Sequence, residues 1–181
     1  MKKNNVQILT RTAVLVALAL VFQNLRIVIG TLPYSQFVIG SLVNAVLIIA
    51  VGSVNVYSGL VVSIITPMVA YLQGQLPFPL LIPIVAIGNA LIVVVYYFLQ
   101  RYNKYVGIIF GSIAKSLFLY LGVQQMLKMI QGTIPDAQFT KVSVALSASF
   151  SWPQLVTALI GGFIALIVLK MLDSALGNIK R

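Results

Sequence analysis

The sequence predicts an all-α integral membrane protein, a six-transmembrane-helix bundle with both termini in the cytoplasm. Three observations lead to this fold class. Of the 181 residues, 60% are hydrophobic and only 8% are charged, and the mean hydropathy of +1.05 is far above that of soluble domains. The apolar residues form six stretches of membrane-spanning length. The basic residues lie mostly at the ends of these stretches.

The first three spans are predicted at residues 8–29, 37–51 and 54–72. The first follows the basic stretch "MKKNN", and we interpret it as a retained helix rather than a cleaved signal peptide. The second is short, and only the tight turn "GSVN" separates it from the third. The second and third helices can therefore be longer than predicted and tilted in the membrane.

The last three spans are predicted at residues 80–99, 106–130 and 152–171. A short basic loop joins the fourth span to the fifth, and one long loop joins the fifth to the sixth. All of residues 1–181 are expected to form a single membrane domain, whose predicted outer loops are richer in glycine and proline than its inner loops.

The distribution of basic residues predicts the orientation. Because Lys and Arg concentrate on the cytoplasmic side of membrane proteins, the side with more of them is predicted to be inside. Lys128 is interpreted as an anchor at the outer end of the fifth span. The net charge of +10 then reflects contact with the lipid bilayer, and no nucleic acid partner is expected. Inner positions are Lys2, Lys3, Arg11, Arg101, Lys104, Lys170, Lys180 and Arg181, and outer ones are Arg26 and Lys141.

The chemical inventory excludes most catalytic functions. The chain has no cysteine and no histidine, and its only acidic residues are Asp136 and Asp173. Paired carboxylates, metal clusters and activated nucleophiles cannot be assembled from this set, so we expect no enzyme, no metal and no cofactor. Coupled carriers commonly use carboxylates inside the membrane, and neither acid falls within a span. Uphill transport would therefore draw its energy from another subunit.

Lys115 lies near the middle of the fifth span, in "GSIAKSLFLYLGV". A lysine at that depth costs about 2.5–3.5 kcal/mol and should face protein or a wet cavity. At about 100° per residue, Gly111, Lys115, Gly122 and Gln125 share one stripe. No carboxylate is predicted within reach. Lys115 is therefore neutral, or bonded to carbonyls and amides, or paired with an anion from outside the chain. We predict that Lys115 and Gln125 bind substrate.

Two further amides, Asn44 and Asn89, are predicted in the middle of the second and fourth spans. Amides at this depth either bond neighbouring helices or contact a ligand. Gln73 and Gln75 lie in the stiff loop "YLQGQLPFP", which can cap a pocket. Pro67 is expected to kink the third span and widen a cavity there.

Trp152 and Gln154 begin the sixth span at the same level. Trp152 is either an interfacial anchor or a stacking platform for a ligand. Because most of these groups belong to the outer half of the bundle, they predict a pocket that opens outward. Amides, aromatic rings and one cation suit a small, partly aromatic and anionic molecule.

Ala13 and Ala17 form a small-xxx-small pair in the first span. Such pairs let helices approach closely, either within one protein or between subunits. Gly161 and Ala165 form a similar pair in the sixth span, where we expect internal packing.

The sequence resembles a known family. A basic six-span chain of 181 residues with Ala-x-x-x-Ala in its first helix is similar to the substrate-binding S-components of energy-coupling factor (ECF) transporters. The strings "FVIGSLVNAVLIIA", "TPMVAYLQGQLPFPLLIPIVAIGNAL", "AKSLFLYLG" and "FSWPQLVTALIGG" carry the same resemblance, which covers nearly the whole chain.

The resemblance implies a multi-pass protein of a bacterial cell membrane that captures a vitamin or related micronutrient. Such a protein joins a transmembrane coupling subunit and two cytoplasmic ATPases to form an importer, and it is thought to topple in the membrane. It also implies that Ala13 and Ala17 contact the coupling subunit.

By region, the resemblance places the pocket at the 73–79 loop, Asn89, Lys115 and residues 131–154. Two other functions stay open from the sequence. A stand-alone facilitator or channel would pass solute down its gradient without ATP, and a structural or assembly factor would bind no small ligand.

Overall fold

The computed structural model describes residues 5–30 and 34–179, with side chains up to residue 175. The predicted inner charges Lys2, Lys3, Lys180 and Arg181 lie outside this description. The described chain folds into seven helices joined by short connections. They are α1 (Asn5–Ile29), α2 (Ser35–Ser53), α3 (Val56–Leu72), α4 (Leu81–Leu99), α5 (Lys104–Ile130), α6 (Asp136–Ser149) and α7 (Trp152–Ile179).

Five segments are long and apolar enough to cross a membrane, judged by length and composition. These are α1, α2, α4, α5 and the segment Asp136–Ala175, which contains α7. The apolar helix α3 is shorter, with 17 residues. The prediction of an all-α membrane protein is confirmed, whereas the cytoplasmic location of the termini stays a prediction.

Helix α6 corrects the prediction of one long loop between the last two spans. Pro135 and Asp136 suit a helix start, because proline presets the backbone and an acidic group favours the positive end of the helix dipole. Phe139, Val142 and Leu146 then follow at helical spacing and pack against the C-terminal half of α5. The polar residues between them concealed this short apolar face.

Helix α2 forms the centre of the bundle. Residues 44–51 of this helix are all buried, and α1, α3, α4 and α7 surround it. Helix α7 approaches α2 closely at Gly161, where an added Cβ would lie 2.4 Å from the carbonyl oxygen of Ser41 and 2.7 Å from Cβ of Asn44. Ala165, one turn further along α7, is fully buried. The small pair in the sixth span therefore serves internal packing.

Replacing Gly161 by Ala is expected to lower the free energy of unfolding by about 1–3 kcal/mol, the usual cost of overpacking a core. The new methyl group would meet backbone atoms of α2, which cannot turn away. Thermal unfolding in detergent measures the loss. Gly122→Ala is the control, since the atoms nearest to its methyl group would be side-chain atoms of Ile84, at 2.9 Å or more, rather than backbone atoms. Equal midpoints for both variants would contradict the expectation.

Helix α1 is the least buried of the long helices. Its buried residues are Thr12, Ala19 and Gln23, whereas Ala13 and Ala17 are exposed. The small pair of the first span is thus left free on the outside of the bundle.

Candidate functional site

Lys115 is buried in the middle of the bundle, with 4% of its surface exposed. Its ammonium group donates one hydrogen bond to Oδ1 of Asn44, at 2.5 Å, and another to Oδ1 of Asn89, at 2.7 Å. The acceptors come from α2 and α4, which flank the ammonium group. Of the three situations that the sequence left open for Lys115, hydrogen bonding to amides is therefore present.

The ammonium group has capacity for one more hydrogen bond. A charged lysine has three N–H donors, and two of them are accounted for by the asparagines. Within the described residues, Lys115 has no third acceptor. Because Lys115 lines a cavity, its remaining donor is available to a molecule in that cavity.

This cavity has a volume of about 470 Å³ and lies at the end of the bundle where α1 ends and α4 begins. Lys115 and Asn89 form its floor, and its walls combine amides, hydroxyl groups and apolar side chains. The positive-inside pattern predicts that this end faces outward. The lining residues are Gln23, Arg26, Ser35, Gln36, Ile39, Gly40, Val43, Asn44, Thr66, Pro67, Ala70, Gln75, Leu76, Pro77, Val85, Asn89, Lys115, Leu119, Ala145, Leu146, Ser149, Phe150 and Gln154.

Two amides fix the end of α6 to its neighbours at the cavity. Gln36, in the first turn of α2, donates through Nε2 to the backbone carbonyl of Ser149 at 2.7 Å. Gln154, in the first turn of α7, donates through Nε2 to the same carbonyl at 3.1 Å. The C-terminal end of α6, where Ser149 and the following Phe150 line the cavity, is therefore attached to two other helices.

A second group of amides ties α1 to the loop between α3 and α4. Gln73 contacts the Gln23 side chain at 3.1 Å and donates to Oδ1 of Asn24 at 3.1 Å. Gln75 donates to Oε1 of Gln73 at 2.7 Å. These bonds hold Gln75 in place along the cavity wall.

The structure brings five of the predicted substrate-binding residues to one cavity. They lie on four helices and on one connection, far apart in the sequence. They are Asn44, Gln75, Asn89, Lys115 and Gln154.

The structure places the other three predicted residues outside the cavity wall. Gln73 is exposed and accepts a hydrogen bond from Gln75, which does line the cavity. Gln125 is exposed, because it lies about 80° around α5 from Lys115 at the helical repeat. Trp152 is 65% exposed and packs against Phe37, with ring centroids 5.5 Å apart. Its position is typical of an interfacial anchor.

The sequence reasoning missed several lining residues. Gln23, Arg26 and Gln36 lie at the ends of the first two helices, where polar residues are ordinarily solvated. The sequence feature that could have identified them is their position on the predicted outer side, level with the loop that contains Gln73. Thr66 was also missed, although its hydroxyl contacts Nδ2 of Asn89 at 3.4 Å.

The two titratable residues that line the cavity are both basic. Lys115 lies at its floor and Arg26 on its wall, and neither acidic residue of the chain is among its lining residues. A low-dielectric cavity with positive groups and amide donors favours a negatively charged molecule.

A family model described as "ECF transporter, substrate-specific component" matches residues 7–172. The chain belongs to this family. The resemblance seen in the sequence is thereby confirmed, and no curated protein or solved structure matches the chain. This S-component is a substrate-specific subunit of a transporter rather than an enzyme.

Family membership also gives the general setting of the S-component. It is a multi-pass membrane protein whose partners are a substrate and the ECF module. The cavity around Lys115 is the candidate substrate site, and the exposed pair Ala13 and Ala17 is the candidate contact with the module.

Proposed function

We propose that this S-component captures a small, vitamin-like, anionic solute from outside a bacterial cell and delivers it to an ATP-driven importer. A transmembrane coupling subunit and two cytoplasmic ATPases complete the importer. The absence of acidic residues from the predicted spans supports an external source of energy.

The single observation that carries this proposal is the incomplete hydrogen bonding of Lys115. Two of its donors are taken by Asn44 and Asn89, and the third has no acceptor in the described protein. A carboxylate or phosphate oxygen would complete the set with a charge-assisted bond. Arg26 on the cavity wall adds to the attraction.

The remaining cavity wall supports a partly apolar body for the solute. Val43, Val85, Leu119 and Phe150 offer apolar surface above the charged floor. A volume of about 470 Å³ is within the range of small-molecule sites. A carboxylated vitamin of the size of pantothenate or niacin matches these features.

The capture of an anion is tested by mass spectrometry of the small molecules released from purified protein. We expect one solute with a carboxylate or phosphate group, in a 1:1 ratio to the protein. A neutral or cationic solute at that ratio would contradict the proposed charge, and the recovery of no solute would contradict capture.

The need for a partner is tested by uptake of that solute into proteoliposomes. The S-component alone should not concentrate the solute, whereas addition of the coupling subunit, both ATPases and ATP should start uptake. Uptake by the S-component alone would favour the stand-alone facilitator instead.

A further inference from the structure

Two threonines lie behind the asparagines that surround Lys115. Nδ2 of Asn89 contacts the hydroxyl of Thr66 at 3.4 Å, and Nδ2 of Asn44 contacts the hydroxyl of Thr157 at 3.5 Å. All five residues are at most 4% exposed. They belong to five different helices, so the chain Thr66–Asn89–Lys115–Asn44–Thr157 runs across the whole bundle.

The hydroxyl protons determine the direction of the two outer bonds in this chain. Thr66 donates its proton to the backbone carbonyl of Val62 at 2.8 Å, and Thr157 donates to that of Gln154 at 3.1 Å. A hydroxyl group has one proton, so each threonine can only accept from its asparagine. Each amide must then turn its NH₂ group to threonine and its oxygen to Lys115.

The opposite amide orientation would be costly. It would place two NH₂ groups against the ammonium group, which has no acceptor, and would turn both amide oxygens toward hydroxyl groups whose protons go to backbone carbonyls. Buried polar groups without partners cost about 1–3 kcal/mol each. The ammonium group and the two threonines therefore favour the same orientation, in which Lys115 donates to both amides.

We propose that Thr66 and Thr157 are positioning residues for solute capture, which keep both amide oxygens on Lys115 so that its third N–H points to the cavity. They thereby determine that the floor of the site offers a donor and takes an anion rather than a cation. This inference rests on the proposed function. Thr157 does not line the cavity, so its influence on the solute passes through Asn44 and Lys115.

The proposal is tested by ¹⁵N NMR of lysine side chains in protein labelled at lysine Nζ, after removal of bound solute by dialysis. The Lys115→Arg variant identifies the Lys115 signal, since it removes this signal and keeps the positive charge. We expect Thr157→Val to shift the Lys115 signal. The double variant with Thr66→Val and Thr157→Val should shift it further. Thr→Ser at both positions should restore it. An unchanged signal in the double valine variant would overturn the proposal.

A thermal unfolding cycle separates positioning from simple packing. Thr157→Val should lower the unfolding midpoint by a few degrees in the natural sequence and by clearly less when Lys115 is already Met. Equal losses in both backgrounds would show that Thr157 acts independently of Lys115 and would overturn the proposal. Both measurements use solute-free protein, so their failure is distinct from the failure to release an anionic solute.

Discussion

Replacing Lys115 by Met is expected to weaken binding of the captured solute by about 10- to 100-fold. A charge-assisted hydrogen bond contributes about 1.5–3 kcal/mol, and each 1.4 kcal/mol is a factor of about ten in affinity. Met is unbranched and only one atom shorter than Lys, and it removes the donors. The measurement is a titration of purified, solute-free protein with the solute identified by mass spectrometry.

Lys128→Met is the matched control for this experiment. Lys128 belongs to the same helix but is exposed and does not line the cavity around Lys115. Its replacement should leave the affinity unchanged. If Lys115→Met folds normally and binds the solute as well as the natural sequence does, Lys115 has no part in capture.

Replacing Ala13 and Ala17 by Leu is expected to abolish uptake in the complete importer while solute binding stays intact. The two alanines are exposed on α1 and lie one turn apart, so larger side chains would block close approach of a second helix. Binding should persist because neither residue lines the cavity. Uptake into proteoliposomes and titration of the isolated S-component measure the two properties.

Two alanines elsewhere serve as controls for the docking experiment. Ala148→Leu makes the same change at an exposed position of α6 and should leave uptake unchanged. Ala19→Leu places the larger side chain at a fully buried position of α1 and should reduce binding and stability together. If the Ala13 and Ala17 variants behaved like Ala19→Leu, the pair would serve the fold rather than docking.

Most of the helices could be predicted because their physical signal is strong. A long apolar run in a chain with few charges has few alternatives to a membrane span. Helix α6 was missed because its apolar residues are few and its neighbours polar, so that its face becomes evident only against α5. The predicted span 37–51 is shorter than α2 at both ends, because Ser35, Gln36 and Ser53 are polar although they belong to the helix.

The centre of the site could be predicted for a related reason. Lys115, Asn44 and Asn89 are conspicuous because polar groups inside a membrane need partners. The sequence could not show that they meet, since that depends on how α2, α4 and α5 pack. Gln36 and Arg26 lie near helix ends, where polar residues are ordinarily solvated. Gln125 was expected on the same side of α5 as Lys115, but it is exposed and lies outside the cavity wall.

The order of the network along the chain matters for how the protein is made. Asn44, Thr66 and Asn89 all precede Lys115 in the sequence, and only Thr157 follows it. Proteins are synthesised from the N-terminus, and earlier segments can pack before later ones appear. Both amide acceptors are therefore synthesised before the helix with the buried lysine. If the helices pack in this order, partners that offset the cost of the buried charge exist before Lys115 is inserted, and the last helix adds Thr157.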